Sequence, residues 1–276
     1  MGAAQRRTEI SPLGRPDPRT LRTRVRHALR FMAPGVDLAA PTKTHLPTPA
    51  PQIRDWLELT VQPVSTVHDE HFFIRALQAH EMAFTAMNRD LRDAIAAIRA
   101  RDLDLAASLL DEVVAFMDRN ASLFRMVATM RPEAFHAFRQ FTDGASAIQS
   151  EQYKRFEGLC GTPPAARLAS PAFASVPAVR AEILAGQDTL TDAYREAVGR
   201  GRRPRQLAAI ADLIQSLEAS HRRWKTTHVT LASRMLGDAR GSGHTSGVDY
   251  LRTWVDHRLF WQLPELAGVD GARRSA

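Results

Sequence analysis

The sequence predicts an all-α fold, and three observations carry the prediction. Apolar residues recur at spacings of three and four along several long stretches. The strict alternation that marks a half-buried strand is absent. Proline- and glycine-rich segments punctuate the chain between the periodic stretches. With 276 residues there is enough chain to bury a large core.

Residues 1–60 are rich in Pro, Arg, Thr and Ala, with LGRPDPR and PTPAP as breakers. They read as a mostly extended arm carrying one short helix near residues 20–32, ahead of a single helical domain over 61–276. From Val67 the pattern turns helical. Phe73, Leu77, His80, Phe84, Met87, Leu91, Ile95 and Ile98 form one apolar stripe. A second helix is expected over 103–130, with Leu109, Val113, Phe116 and Phe124 inward. A third is expected over 132–158, because proline suits a first turn. Residues 161–177 read as loop, and 178–198 as helix. GRGRRPR breaks the chain again before a long helix over 206–236. The glycine-rich GDARGSGHTSG follows, then a last helix over 248–261, closed by Pro264.

Composition excludes several function classes. The apolar runs fall short of the roughly 18 residues a membrane span needs, and the N-terminus lacks the order of a signal peptide. A single cysteine, Cys160, permits no internal disulfide and no thiolate metal cluster. A cytoplasmic setting is expected. The net charge of +7 is concentrated in residues 1–30, where eight arginines face Glu9 and Asp17, leaving about +1 for the remainder. The body therefore offers no basic face for nucleic acid, and the arm reads as a solvated tail.

The histidines are the candidate chemistry. His71 and His80, nine positions apart, point to opposite sides of a helix at about 100° per residue. They cannot grip one ion, and Phe84 stands where the zinc pattern HExxH needs its second histidine. His80 on the apolar stripe reads as a hydrogen-bonded core histidine, His71 as a surface or interface residue. His221 and His228 share a face but stand about 10.5 Å apart along the axis. Either can serve as the lone axial ligand of a haem. The glycine-rich loop lacks the P-loop lysine and follows a helix, so it reads as a pliable segment able to approach a ligand closely.

Three separated segments bear a resemblance: DEHFFIRALQAHE, FHAFRQFTDGASAIQSEQYKRFEG, and WKTTHVTLASRMLG with GSGHTSGVDYLR and LPEL. In order and spacing they resemble tryptophan 2,3-dioxygenase, within the wider group of histidine-ligated haem oxygenases of aromatic compounds. The resemblance implies a helical protein that binds b-type haem and assembles as a dimer or tetramer. It implies His228 as the axial ligand, with Trp224 one turn before it. Phe73 and Phe135 become aromatic walls of the substrate pocket, and Arg139 the clamp on the substrate's α-carboxylate, flanked by Phe135, Phe138 and Phe141. Ser146 falls near the haem edge. Ser242, between Gly241 and Gly243 in the loop, meets the amino-acid end of the substrate.

The resemblance also has departures. Leu77 occupies the place of the family's distal histidine and can neither accept nor donate a proton. An essential general base lost there would cost about 10²- to 10⁴-fold in rate, although the proton can instead leave to dioxygen. His80, one turn on, can offer a nitrogen from a shifted position. All three tyrosines (Tyr153, Tyr194, Tyr250) lie after residue 150, so the arm lacks the family's tyrosine. GSGHTSG replaces GTGGSSG and sets His244 beside the pocket loop. Three functions follow as expectations. The first is indole 2,3-dioxygenation of L-tryptophan or a derivative to N-formylkynurenine, as in tryptophan catabolism. The second is hydroxylation of L-tyrosine or a substituted tryptophan in secondary metabolism. The third is haem binding without turnover.

Overall fold

The computed structural model describes residues 16–32, 60, 63–141, 150–200, 205–237 and 246–266. Among these residues every regular element is helical. The arm's helix, α1 (Pro18–Met32), starts one residue past Asp17, whose carboxylate accepts the Arg19 and Thr20 amides at 2.8 and 3.0 Å. Arg24 on α1, assigned by composition to a solvated tail, is instead buried. Its guanidinium grips Asp69 at 2.9 and 3.1 Å, donates to Thr129 at 2.7 Å and lies 4.0 Å over the Phe72 ring. The rest of the proposed arm, residues 1–15 and 33–59, lies outside the described residues.

The next two helices, α2 (His68–Ala100) and α3 (Leu103–Val127), form an antiparallel hairpin joined by two residues. Arg101 adopts the left-handed conformation at φ 67°, and the Arg101 and Asp102 amides return to Ile98 and Ala97. Asp102 then caps α3 by accepting from Leu105. Along α2 the stripe from His80 through Ile98 is buried as its spacing predicts, while Phe73 and Leu77 at its start are half-buried. On α3, Val113 and Phe124 are buried, and Leu109 and Phe116 partly so.

The expected third helix is two. Helix α4 (Pro132–Arg139) begins at its proline, and α5 (Glu151–Cys160) begins where Ser150 accepts from Tyr153. Residues 161–177, read as loop, hold two single-turn helices, α6 (Ala165–Leu168) and α7 (Pro171–Ala174). The expected helix over 178–198 also divides, into α8 (Pro177–Leu184) and α9 (Leu190–Gly199). Gly186, at φ 82°, turns the chain between them, and Thr189 caps α9 by accepting from Asp192.

The long helix α10 (Arg205–Leu236) lies along α3 and matches its expected span. Helix α11 (Val248–Thr253) is shorter than predicted. Its continuation is captured by α10: Lys225 donates to the carbonyls of Trp254 and His257, and the Glu218 carboxylate takes the amides of Leu259 and Phe260. A 3₁₀ turn at Pro264–Leu266 follows.

One apolar core joins α2, α3, α5, α9 and α10 around Phe84, Met117, Phe156 and Leu217. A second joins the end of α3 with α4, the first turns of α2 and Met235 of α10. Leu231 of α10 packs against both, and the candidate site lies where they meet.

Candidate functional site

Two side-chain groups flank the place where the two cores meet. The first gathers around α10. His228 stacks on Phe124 of α3 with ring centroids 4.8 Å apart and planes 8° apart, and Trp224 lies 6.0 Å from it. Trp224 is the hub of this group. Its ring meets Phe84, Phe124, Tyr153 and His80 at 5.5, 5.1, 5.1 and 6.2 Å. Such offset and edge-to-face contacts add about 0.5–1.5 kcal/mol each beyond area burial.

The two histidines of α10, equivalent by spacing, differ in their surroundings. His221 is fully buried, and its Nε2 is 2.9 Å from the Tyr153 hydroxyl. His228 makes no hydrogen bond among the described residues. Burial, and then the ammonium of Lys154, push its pKa down to about 4. At neutral pH it is therefore an uncharged imidazole with nitrogen lone-pair capacity to spare, the form in which histidine binds a metal.

The second group belongs to the other core. Phe73 meets Phe135 edge-on at 5.7 Å and Phe138 at 5.5 Å, and Phe135 meets Phe138 at 5.5 Å. Arg139, at the end of α4, is half-buried with its guanidinium 5.9 Å from the Phe135 ring. Phe138 is buried, whereas Phe141, expected to shield the arginine, is 54% exposed. The structure thus brings together Phe73, Phe135 and Arg139. Leu77 lies one turn beyond Phe73 on α2, half-buried, between the two groups in sequence.

His80 departs from its expected environment. It is buried at 8% exposure against Phe124 at 4.7 Å, yet neither ring nitrogen has a hydrogen-bond partner. Burial, followed by repulsion from His228, lowers its pKa to about 3. It shares its aromatic neighbours with His228, which sets it beside that residue rather than beside Phe73. His71 is half-buried. Ser146, Gly241, Ser242, Gly243 and His244 lie outside the described residues.

Other functional neighbours escaped the sequence reading. Asn120 on α3 has no exposure, and neither its amide nitrogen nor its oxygen is paired. Lys154 is buried on α5, where desolvation depresses its pKa to about 8. Next to it Glu157 and Arg167 form a buried pair at 2.8 and 3.1 Å. Polar residues at inward positions of helical stripes were the available signal.

This arrangement fits a haem better than a bare ion. Among the described residues no group of three or more His, Cys, Asp or Glu side chains could hold a metal. One neutral imidazole nitrogen is all that is asked of the protein by iron that already carries four porphyrin nitrogens, and His228, unpaired among the described residues and less buried than His80, can offer it. Trp224 Nε1 is likewise buried without a partner beside it.

Comparison with known proteins agrees. The family model described as tryptophan 2,3-dioxygenase matches residues 55–172. The tryptophan 2,3-dioxygenase of Polaromonas sp. strain JS666 is 30% identical over 251 residues, covering 76% of this chain and 85% of its own. That of Paraburkholderia phytofirmans is 31% identical over 73% of this chain and 77% of its own. That of Cupriavidus necator is 30% identical, over 74% and 81%. With 30% identity to such a relative over about three quarters of its length, the chain belongs to the tryptophan 2,3-dioxygenase family.

Proposed function

We propose that this haem-dependent oxidoreductase inserts both atoms of O2 into the indole ring of L-tryptophan or a close derivative, giving the N-formylkynurenine skeleton. The observation that carries the reading is His228: half-buried against the Phe124 and Trp224 rings, uncharged and without a hydrogen-bond partner among the described residues. Its imidazole would hold a b-type haem, whose bound form supplies O2 activation and the redox chemistry.

The chain's own residues bind and orient. Arg139 takes the substrate carboxylate in a bidentate, charge-assisted contact worth about 1.5–3 kcal/mol. Phe73 and Phe135, buttressed by Phe138, clasp the aromatic ring and exclude water, which fixes the reacting carbons in one pose. On the family resemblance alone, Ser242 with its neighbours Gly241 and Gly243 is assigned to the substrate's amino-acid end and Ser146 to the haem. Leu77 contributes shape alone, so no side chain at that position removes the indole proton. The working assembly is proposed as a homo-oligomer in the cytoplasm.

Leu77 also favours a second reading, hydroxylation of L-tyrosine or a substituted tryptophan, because a ring hydroxylation needs no base at the indole nitrogen. The experiment is mass spectrometry of products formed by the reduced, haem-loaded protein from ¹⁸O2 and a panel of aromatic amino acids, with and without peroxide. Two labelled atoms in a formylkynurenine support dioxygenation. One labelled atom in a hydroxylated ring supports the second reading, and no product from any substrate favours haem binding without turnover.

A further inference from the structure

The polar atoms left unpaired inside the protein are not scattered. His80 Nδ1 and Nε2, both amide atoms of Asn120 and the indole Nε1 of Trp224 are all buried and without partners. The three residues come from α2, α3 and α10, and all surround the same place. His80 is 4.7 Å from the Phe124 ring and 6.2 Å from Trp224, and the Asn120 amide lies beside its ring, near enough to raise the His80 pKa but outside hydrogen-bond geometry. His228 packs against those same two rings. Buried polar groups left unsatisfied lose their water without replacement, so five together call for a shared partner.

The donors and acceptors can be matched. A neutral His228 that gives one nitrogen to iron keeps an N–H on the other, and that N–H needs an acceptor. Trp224, the Asn120 nitrogen and the protonated nitrogen of neutral His80 are further donors. The acceptors present are Asn120 Oδ1 and one nitrogen of neutral His80. Donors outnumber acceptors, and one water, accepting from the His228 N–H and Trp224 Nε1 and donating to Asn120 Oδ1 and the bare nitrogen of His80, links all four residues.

We propose that His80 and Asn120 are positioning residues for the haem ligand: through one water shared with Trp224 Nε1, they supply the hydrogen bond that orients the His228 imidazole and strengthens it as a donor to iron. This rests on the reading of His228 as the haem ligand. It also gives His80 a role on the ligand's side of the haem, in place of the role on the substrate's side that the sequence left open.

The test compares full-length wild type, His80→Leu, His80→Gln and Asn120→Leu, each loaded with haemin. The readouts are the ferrous iron–histidine stretching band by resonance Raman and the ferric/ferrous midpoint potential. Losing the hydrogen bond weakens the imidazole as a donor. The stretch is then expected to fall in frequency and the potential to rise in His80→Leu and Asn120→Leu. His80→Gln, which keeps polar atoms at the site, restores both towards wild type. If either leucine variant that loads with haem keeps the wild-type band and potential, the proposal is overturned. Should His80→Leu fail to fold, Asn120→Leu and His80→Gln decide it: an unmoved Asn120→Leu, or a His80→Gln shifted as far as Asn120→Leu, overturns it. Wild type that takes up no haem would overturn the functional reading itself, which is a different result.

Discussion

Removing the Asp69 carboxylate tests how the arm's helix is fastened to α2. Arg24 crosses from α1 to α2, with side chains at 7% and 4% exposure and two parallel contacts of 2.9 and 3.1 Å. In Asp69→Asn the guanidinium stays buried, held by Thr129 and Phe72 but with no counter-charge. Breaking a buried pair from one side costs about 3–5 kcal/mol. Spread over a chain of this size, that lowers the thermal midpoint by about 6–20 °C. The double variant Arg24→Met with Asp69→Leu should recover most of the loss, because no uncompensated charge remains. The acid limb should respond as well. Burial raises the Asp69 pKa, but hydrogen bonds from His68 and Arg24 outweigh it and hold the carboxyl below its ordinary value. A depressed carboxyl stabilises the fold above its unfolded pKa of about 3.9, and that stability is lost as pH falls through the folded value. Asp69→Asn should therefore flatten the acid side of the stability profile. Denaturant unfolding followed by circular dichroism at pH 7 and pH 4 measures both effects. Single variants within about 1 kcal/mol of wild type at pH 7 would refute the reasoning.

Further predictions can be checked with the same preparations. Arg101→Gly should stabilise the hairpin by about 1 kcal/mol, since Arg101 alone among the described non-glycine residues has positive φ. An unchanged or lower urea midpoint would contradict this. Arg139→Gln should weaken substrate binding by about 10- to 150-fold, the equivalent of 1.5–3 kcal/mol, while the haem spectrum stays intact. Titration of the Soret shift with amino acid reads the affinity, and unchanged affinity would remove Arg139 from the clamp. In the haem-free chain, burial lowers His80 to about 3 and His257 to about 4. The unfolded chain takes up those protons near pH 6.5 and the folded one does not, so stability should fall as pH drops from 7 to 4. His80 alone contributes up to about 1.4 kcal/mol per pH unit in that window. A flat profile, measured by urea midpoints at pH 7 and pH 5, would contradict it.

The long helices were legible because they carry their own evidence. The stripe from Phe73 to Ile98 and the run from Gln206 to Leu236 repeat over many turns, and α2 and α10 occupy nearly those spans. Breaks were less visible. Gly186 and the Thr189–Asp192 cap were signals that residues 178–198 hold two helices, but local helix propensity on either side masked them. The early end of α11 had no local signal: it depends on Lys225 and Glu218, some thirty to forty residues earlier, reaching across to its backbone. Within the site, family resemblance singled out His228, Phe73, Phe135 and Arg139, and the fold sets the last three together. Spacing alone could not separate His221 from His228, since the difference is a hydroxyl from Tyr153 on another helix. Nor could it reveal the unpaired atoms of His80 and Asn120, because hydrogen-bond satisfaction depends on three-dimensional neighbours.

The central claim is that the His228 nitrogen holds haem iron. Adding haemin to the purified full-length chain and to His228→Ala, then recording the ferric and ferrous absorption spectra, tests it most directly. The account predicts a stoichiometric Soret band in wild type that is lost or strongly altered in His228→Ala, with both proteins equally helical. Identical spectra in the two, or a wild-type chain that leaves haemin free, would contradict it.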